Sequence, residues 1–437
     1  MADTQTEGDR DVERDPFPWD LGIFDAHCHP TDTMESIPSI SSSMRARVLT
    51  VMATRSQDQD LVAQVAEEHG LTSSEAIASS PRSNGPDPNH LHDKIVPAFG
   101  WHPWFSHQLY DDISPANHAA TYDPASPGLA GEKLRHYNAV LSPSPETKDD
   151  ESFIDKLPTP QPLSGFLSQT RKYLEKHPLS LVGEIGIDKA FRLPSHGDMV
   201  SDPEPNMTEG RRNGERLSPY RVNMEHQTRI LKAQLNLAGE IGRPVSVHGV
   251  QAHGVLYNTI KSTWKGHEKP VVTNRERKRI AKGVNEDFSS SSEDEDDSDD
   301  GNGRDTATMK KKKQYKPKPY PPRICLHSYT GAVDTMKQYT NDRSCPAKIF
   351  FSFSLCVNYS TGGHDRDRKK HLADEVIRAC PDDRILIESD LHKAGQDMDD
   401  MLEEMYRKVC EVKGWGLREG VERIRSNYQE FIFGSSK

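Results

Sequence analysis

Phe24-Asp25-Ala26-His27-Cys28-His29 ends the short apolar run that begins at Leu21, and its reading decides the fold. In a strand alternate side chains share a face, so His27 and His29 aim two imidazoles at one point while Cys28 turns into the wall. On its own an HxH pair more often belongs to ordinary strand residues; its weight here comes from repetition. Glu184, His248, His327 and Asp390 lie in or at the end of strand-like runs of their own: Ser180 to Ile187, Pro244 to His248, Arg323 to His327 and Arg384 to Asp390. Arg47 to Ala53, Ile95 to His102 and Ile349 to Leu355 have the same apolar, β-branched character and bring the strand candidates to eight.

Helical periodicity fills most of the intervals, over Leu61 to His69, Phe166 to His177, Val222 to Ile241, Ala252 to Trp264, Ala332 to Tyr339, Arg368 to Ala379 and Met398 to Lys413. Strands that are nearly continuously apolar and alternate with helices predict an α/β fold, a closed parallel (β/α)8 barrel of the TIM type. Such barrels build their active sites at the C-terminal ends of the strands, where all of these candidate ligands fall. Imidazole and carboxylate without thiolate suit Zn²⁺, Mn²⁺ or Mg²⁺.

The ordered motifs resemble the TatD-related metal-dependent hydrolases: Phe24 to His29, Gly100-Trp101-His102-Pro103, Gly183-Glu184-Ile185-Gly186-Ile187-Asp188, Gln227 with Gln234, Pro244 to His248, His327-Ser328-Tyr329-Thr330-Gly331 and Ile387-Glu388-Ser389-Asp390. The match extends to Asn427 and Phe431 near the end of the chain. The stretch Ile187 to Arg192 and the long inserts are most similar to a fungal branch named for interaction with a subunit of the anaphase-promoting complex. The resemblance implies two divalent metal ions, one held by His27, His29, Glu184 and Asp390, the other by Glu184, His248 and His327. Glu184 is then the bridge, Asp390 the group that orients or deprotonates a water, His102 a donor to the scissile phosphate, and Asp188 a supporting contact. DNA is the implied substrate, cleaved as a phosphodiester by a deoxyribonuclease. A hydrolase acting on another bond, or a partner-binding scaffold for a cell-cycle complex, are the alternatives. Two departures bear on the substrate cleft: Val250 stands where the family usually carries arginine, and Leu391-His392-Lys393 replaces a proline-containing turn.

A chain of 437 residues exceeds the roughly 250 that an α/β barrel needs. A polar tail at 1–20 precedes one barrel domain at 21–437, and the excess falls in inserts at about 111–162, 193–219 and 274–322 that read as disordered loops. The third is the plainest, with the acidic serine run Ser289 to Asp300 between the basic clusters Arg275 to Lys282 and Lys310 to Lys318. Acid-flanked serines suit kinases, and basic clusters suit phosphate contact or nuclear import. The net charge of −11 argues against a surface coated for nonspecific DNA binding and leaves room for a local basic cleft. No run is apolar enough to span a membrane and the acidic start is unlike a secretory signal, so the expected location is intracellular, in cytoplasm or nucleus.

The six cysteines show neither disulfide nor zinc-site spacing and read as small buried thiols. Trp101, Trp104 and Phe105 read as cover for the barrel mouth, and His107, His364 and His392 as surface histidines. Because 274–322 has no periodic apolar face, replacing it with a short flexible linker is expected to leave the melting temperature almost unchanged; a thermal melt with a large drop would refute this.

Overall fold

The eight predicted strands form one parallel sheet in the computed structural model, which describes residues 15–73, 94–114, 120–145, 148–195, 217–269, 318–359 and 366–434. They are β1 (Phe24–Cys28), β2 (Val48–Met52), β3 (Ile95–Phe99), β4 (Leu181–Asp188), β5 (Val245–Val250), β6 (Arg323–Leu326), β7 (Lys348–Phe353) and β8 (Ile385–Ile387), paired in chain order. The ends of the sheet meet at its C-terminal rim. There Asp390 N–H donates to the His27 carbonyl at 3.0 Å and His29 N–H to the Leu391 carbonyl at 2.8 Å. The ring of strands is the TIM-type barrel that the strand-helix alternation predicts.

The long helices that pack around the barrel are α1 (Ser56–His69), α2 (Leu163–Lys176), α3 (Met224–Ile241), α4 (His253–Ser262), α5 (Val333–Asn341), α6 (Arg366–Ala379), α7 (Gln396–Lys413) and α8 (Leu417–Phe433). Several begin outside their predicted limits, because the polar first turn of a helix carries no apolar period. In α3 the start is set by Asn223, whose Oδ1 accepts the Glu225 N–H at 2.9 Å. Two glutamines of α3, seven residues apart and so on one face, secure the ends of strands. Gln227 accepts from the Asp188 N–H at 2.8 Å and donates to the Asp188 carbonyl, while Gln234 does the same for Trp101.

Inside the barrel Phe24, Val48, Met52, Ala98, Phe350 and Leu386 pack with Tyr428 and Phe431 of α8. That helix lies across the strands' N-terminal ends, where Asn427 Nδ2 donates to the Ile385 carbonyl and Arg323 Nε to the Phe431 carbonyl. Cys28 packs in the outer wall with Leu49, Val51 and Val62, as expected. All six cysteines are free thiols, five of them buried and Cys356 partly so.

The first insert corrects an expectation. Leu129–Val140 and Lys148–Lys156 are helices, and Tyr137, Val140, Phe153, Ile154 and Leu157 form a small core with Phe191, Leu193, Tyr220 and Val222. Each short helix offers too few apolar positions to show a period, and Phe191, Leu193, Tyr220 and Val222 come from the two ends of the second insert. His107 is also corrected: it is fully buried, with the His136 Nε2 2.8 Å from its carbonyl. Residues 1–14, 196–216 and 270–317, and His364, lie outside the described residues, and with them most of the tail and of the second and third inserts. Among the described residues no helix is long and apolar enough to cross a membrane.

Ile154→Ala removes a buried side chain from the insert core, and a urea unfolding curve is expected to report a loss of about 2–5 kcal/mol. An unchanged midpoint would mean that this layer does not fold with the barrel.

Candidate functional site

The register of β1 on β2 shifts between Asp25 and Cys28, so Ala26 and His27 together face the single residue Thr50. This bulge sends His27 and His29 to the barrel mouth and leaves Asp25 in the wall. Asp25 accepts from the His27 N–H at 3.0 Å and the Ser389 N–H at 3.0 Å, and from the Ser389 hydroxyl. It thereby ties the first strand to the turn that carries Asp390. Burial lifts its carboxyl to about 7 against those hydrogen bonds.

All six predicted ligands converge at the mouth. The Nε2 atoms of His27 and His29 lie 3.1 Å apart, each 3.3 Å from Glu184 Oε2 and 3.8 and 3.7 Å from Asp390 Oδ1. Around Glu184 Oε1 stand His248 Nδ1 at 2.8 Å, His327 Nε2 at 2.7 Å and His102 Nε2 at 3.1 Å. One carboxylate therefore divides the site, with an oxygen turned to each set of donors.

The opposite edge of each of three imidazoles is fixed by a neighbour. His27 Nδ1 meets Ser246 Oγ at 3.0 Å, His248 Nε2 meets Asp188 Oδ2 at 3.1 Å, and His327 Nδ1 faces Glu388 Oε1 at 3.4 Å. Such partners set the tautomer, so that the ring presents a lone pair to the centre of the site. Asp188 is held in turn by Trp104 Nε1 at 2.6 Å and by the Ala190 and Phe191 N–H groups, and Glu388 by Ser328 and Ser352. His102 is arranged the other way. Its Nδ1 accepts the Trp104 N–H at 3.1 Å, so in the neutral ring the proton sits on Nε2 and points into the site.

Burial disfavours the Glu184 anion, yet the facing imidazoles of His102, His327 and His27 outweigh it and hold the carboxyl well below its usual range. The same carboxylate overcomes burial at His29, raised to about 9, and at His327, while the hydrogen bond to Asp188 together with Glu184 pushes His248 upward. Burial wins at His27 and at His102, the latter lowered to about 4, so both favour the neutral ring. The centre is thus a buried place that stabilises positive charge among imidazole and carboxylate donors. Nitrogen atoms facing each other at 3.1 Å suit a shared cation in the place of protons, and the residues fit one or more divalent metal ions.

The cleft above this centre has a volume of about 240 Å³ and is lined by His29, Asp32, His102, Trp104, Val250 and His392 among others. His392, read from the sequence as a surface histidine, is exposed but belongs to this rim. It contacts Asp32 at 2.6 Å and stacks on His29 at 5.2 Å between ring centroids. Trp104 lies against Phe191 at 4.8 Å with planes 13° apart, whereas Trp101 is buried against Phe166. The supporting roles of Ser246 and Glu388 are invisible in sequence, although Glu388 stands two residues before Asp390 and strand alternation alone would pair them.

Residues 24–433 match the family described as TatD related DNase. The chain is 33% identical over 410 residues to the Cut9-interacting protein scn1 of Schizosaccharomyces pombe, covering 94% of this chain and 98% of the relative. It is 23% identical over 424 residues to an uncharacterized deoxyribonuclease of Saccharomyces cerevisiae, covering 94% and 99%. Among solved structures, a TatD family hydrolase of Entamoeba histolytica aligns over 95% of this chain and 99% of its own, at 11% identity and a TM-score of 0.48.

Elemental analysis of the purified protein is expected to find divalent metal that Glu184→Ala loses while its circular dichroism stays unchanged, because the residue lies at the barrel mouth. Equal metal content in the two proteins would rule out Glu184 as a shared ligand.

Proposed function

The chain belongs to the TatD-related DNase family, a family of metal-dependent hydrolases, and we propose that within it this protein is a deoxyribonuclease that hydrolyses phosphodiester bonds with two divalent cations. The observation that carries this reading is the division of Glu184, with Oε2 toward His27, His29 and Asp390, and Oε1 toward His248 and His327. His27, His29, Glu184 and Asp390 would hold one ion and Glu184, His248 and His327 the other; Mg²⁺, Mn²⁺ and Zn²⁺ all suit these donors. When bound, such a pair supplies an acidified water and neutralises charge on the phosphate.

The side chains do the rest. Asp390, the most exposed of the acidic groups at 17%, accepts a proton from the attacking water. As the water oxygen bonds to phosphorus, the bond from phosphorus to the leaving oxygen breaks, and that oxygen takes a proton from solvent. His102, with its proton on Nε2, donates to a non-bridging phosphate oxygen. Asp188 and Glu388 hold His248 and His327 in orientation, which keeps the donor geometry fixed through the reaction. Trp104 offers a flat wall beside the phosphate.

The Schizosaccharomyces pombe relative, by its name a protein that interacts with Cut9, favours a second reading, a partner-binding role in a cell-cycle complex. The complete donor set supports hydrolysis as at least one of the protein's activities.

With labelled DNA under single-turnover conditions, Asp390→Asn is expected to slow cleavage by about a hundredfold or more while DNA binding persists. His102→Ala is expected to reduce the rate less, because it removes a donor to the phosphate and leaves the proton acceptor in place. If Asp390→Asn cleaves as fast as the unmodified protein, the nuclease assignment fails.

A further inference from the structure

We propose that the groove bordered by Lys189 and Arg221 is a second phosphate subsite, which holds a backbone phosphate of a DNA chain next to the scissile one. The inference rests on the phosphodiesterase reading above. The groove has a volume of about 510 Å³ and is lined by Ser142, Lys189, Arg221, Asn223 and Gln251 with neighbouring apolar groups.

It adjoins the candidate active site through consecutive residues. Asp188 pairs with Val250 in the register of β4 on β5, and the Lys189 N–H donates to the Val250 carbonyl at 3.0 Å. Val250 lines the cleft above the six proposed ligands, and Gln251, the next residue, lines the groove. Likewise Asp188 bonds His248, and Lys189 follows it into the groove. Arg221 is brought there by the two-residue antiparallel pair in which Ser142 faces Arg221.

Both cations are exposed, and neither side chain has an ion pair or hydrogen bond among the described residues. The nearby acids are already engaged. Asp188 satisfies His248, Trp104 and two backbone N–H groups, and Glu225 pairs with Arg229 at 2.8 Å. Two uncompensated positive charges beside a concave surface, on a chain of net charge −11, form a local attractor for anions. Ser142 and Asn223 add polar groups to the same wall. Lys189, the residue after β4, thus stands beside Val250 where the cleft and the groove meet the same pair of strands. A groove of this size, next to the cleft through Val250 and Gln251 and lined by none of the donors proposed to face the scissile phosphate, suits the next nucleotide of a chain better than a free phosphate ion.

The test uses the full-length protein and a fluorescent single-stranded DNA oligonucleotide, with binding read by anisotropy over a salt series. The Lys189→Ala/Arg221→Ala variant is expected to bind about tenfold more weakly per lost charged contact. Its slope of log affinity against log salt should fall by about 1.4, or 0.7 for each phosphate contact on a single strand. Its turnover of bis(4-nitrophenyl) phosphate, which has one phosphate only, should match the unmodified protein, and Lys189→Arg/Arg221→Lys should restore oligonucleotide binding. Unchanged affinity and salt slope would overturn the proposal, as would an equal loss on the one-phosphate substrate. If the unmodified protein binds DNA and hydrolyses neither substrate, the nuclease reading fails, and the binding comparison still decides the subsite.

Discussion

A single buried carboxylate organises the barrel mouth. Glu184 sits on the longest strand with both oxygens confronting imidazoles at 2.7–3.3 Å, and its side chain is buried. A carboxylate so placed is stable only if positive charge gathers around it. That requirement draws the rings of His27, His29, His102, His248 and His327 to one point and pushes three of them toward the protonated form. The same electrostatic demand suits the centre to divalent cations.

The rest of the barrel keeps those rings from adjusting. Ser246, Asp188 and Glu388 grip the outer edges of three imidazoles, and Asp25 fastens the turn of Asp390 to β1. Gln227 and Gln234 hold the ends of β4 and β3 from a helix. Gln251, Ser328 and Asp390 adopt left-handed φ values of 51°, 39° and 55°. Each costs about 1–3 kcal/mol in a residue with a side chain, and the hydrogen bonds and packing around the rim sustain it. Strain at three turns around one centre is the pattern of a surface shaped for chemistry rather than for stability.

Charge on this protein is distributed rather than absent. The acidic excess lies over the chain as a whole, while Lys189 and Arg221 flank the mouth with no acid paired to them among the described residues. On an acidic body, two such cations beside a groove make a local site of attraction for anions.

The eight strands, the helices between them and the convergence of six donors are legible in sequence, because apolar runs and helical periods record burial directly and barrel strands all end on one rim. His27 and His29 share a face by alternation alone. Strict alternation would also send Asp25 to the site; the bulge after it, which depends on pairing with Thr50, takes it into the wall instead. The folded insert and the burial of His107 are equally hidden, since their partners Phe191, Tyr220 and His136 are distant in the chain. What tertiary structure alone decides is which groups touch. Glu388 behind His327, Trp104 on His102 and Asp188, and Lys189 beside Val250 are contacts between separate strands and loops, and no local pattern of residues encodes a distance across the barrel.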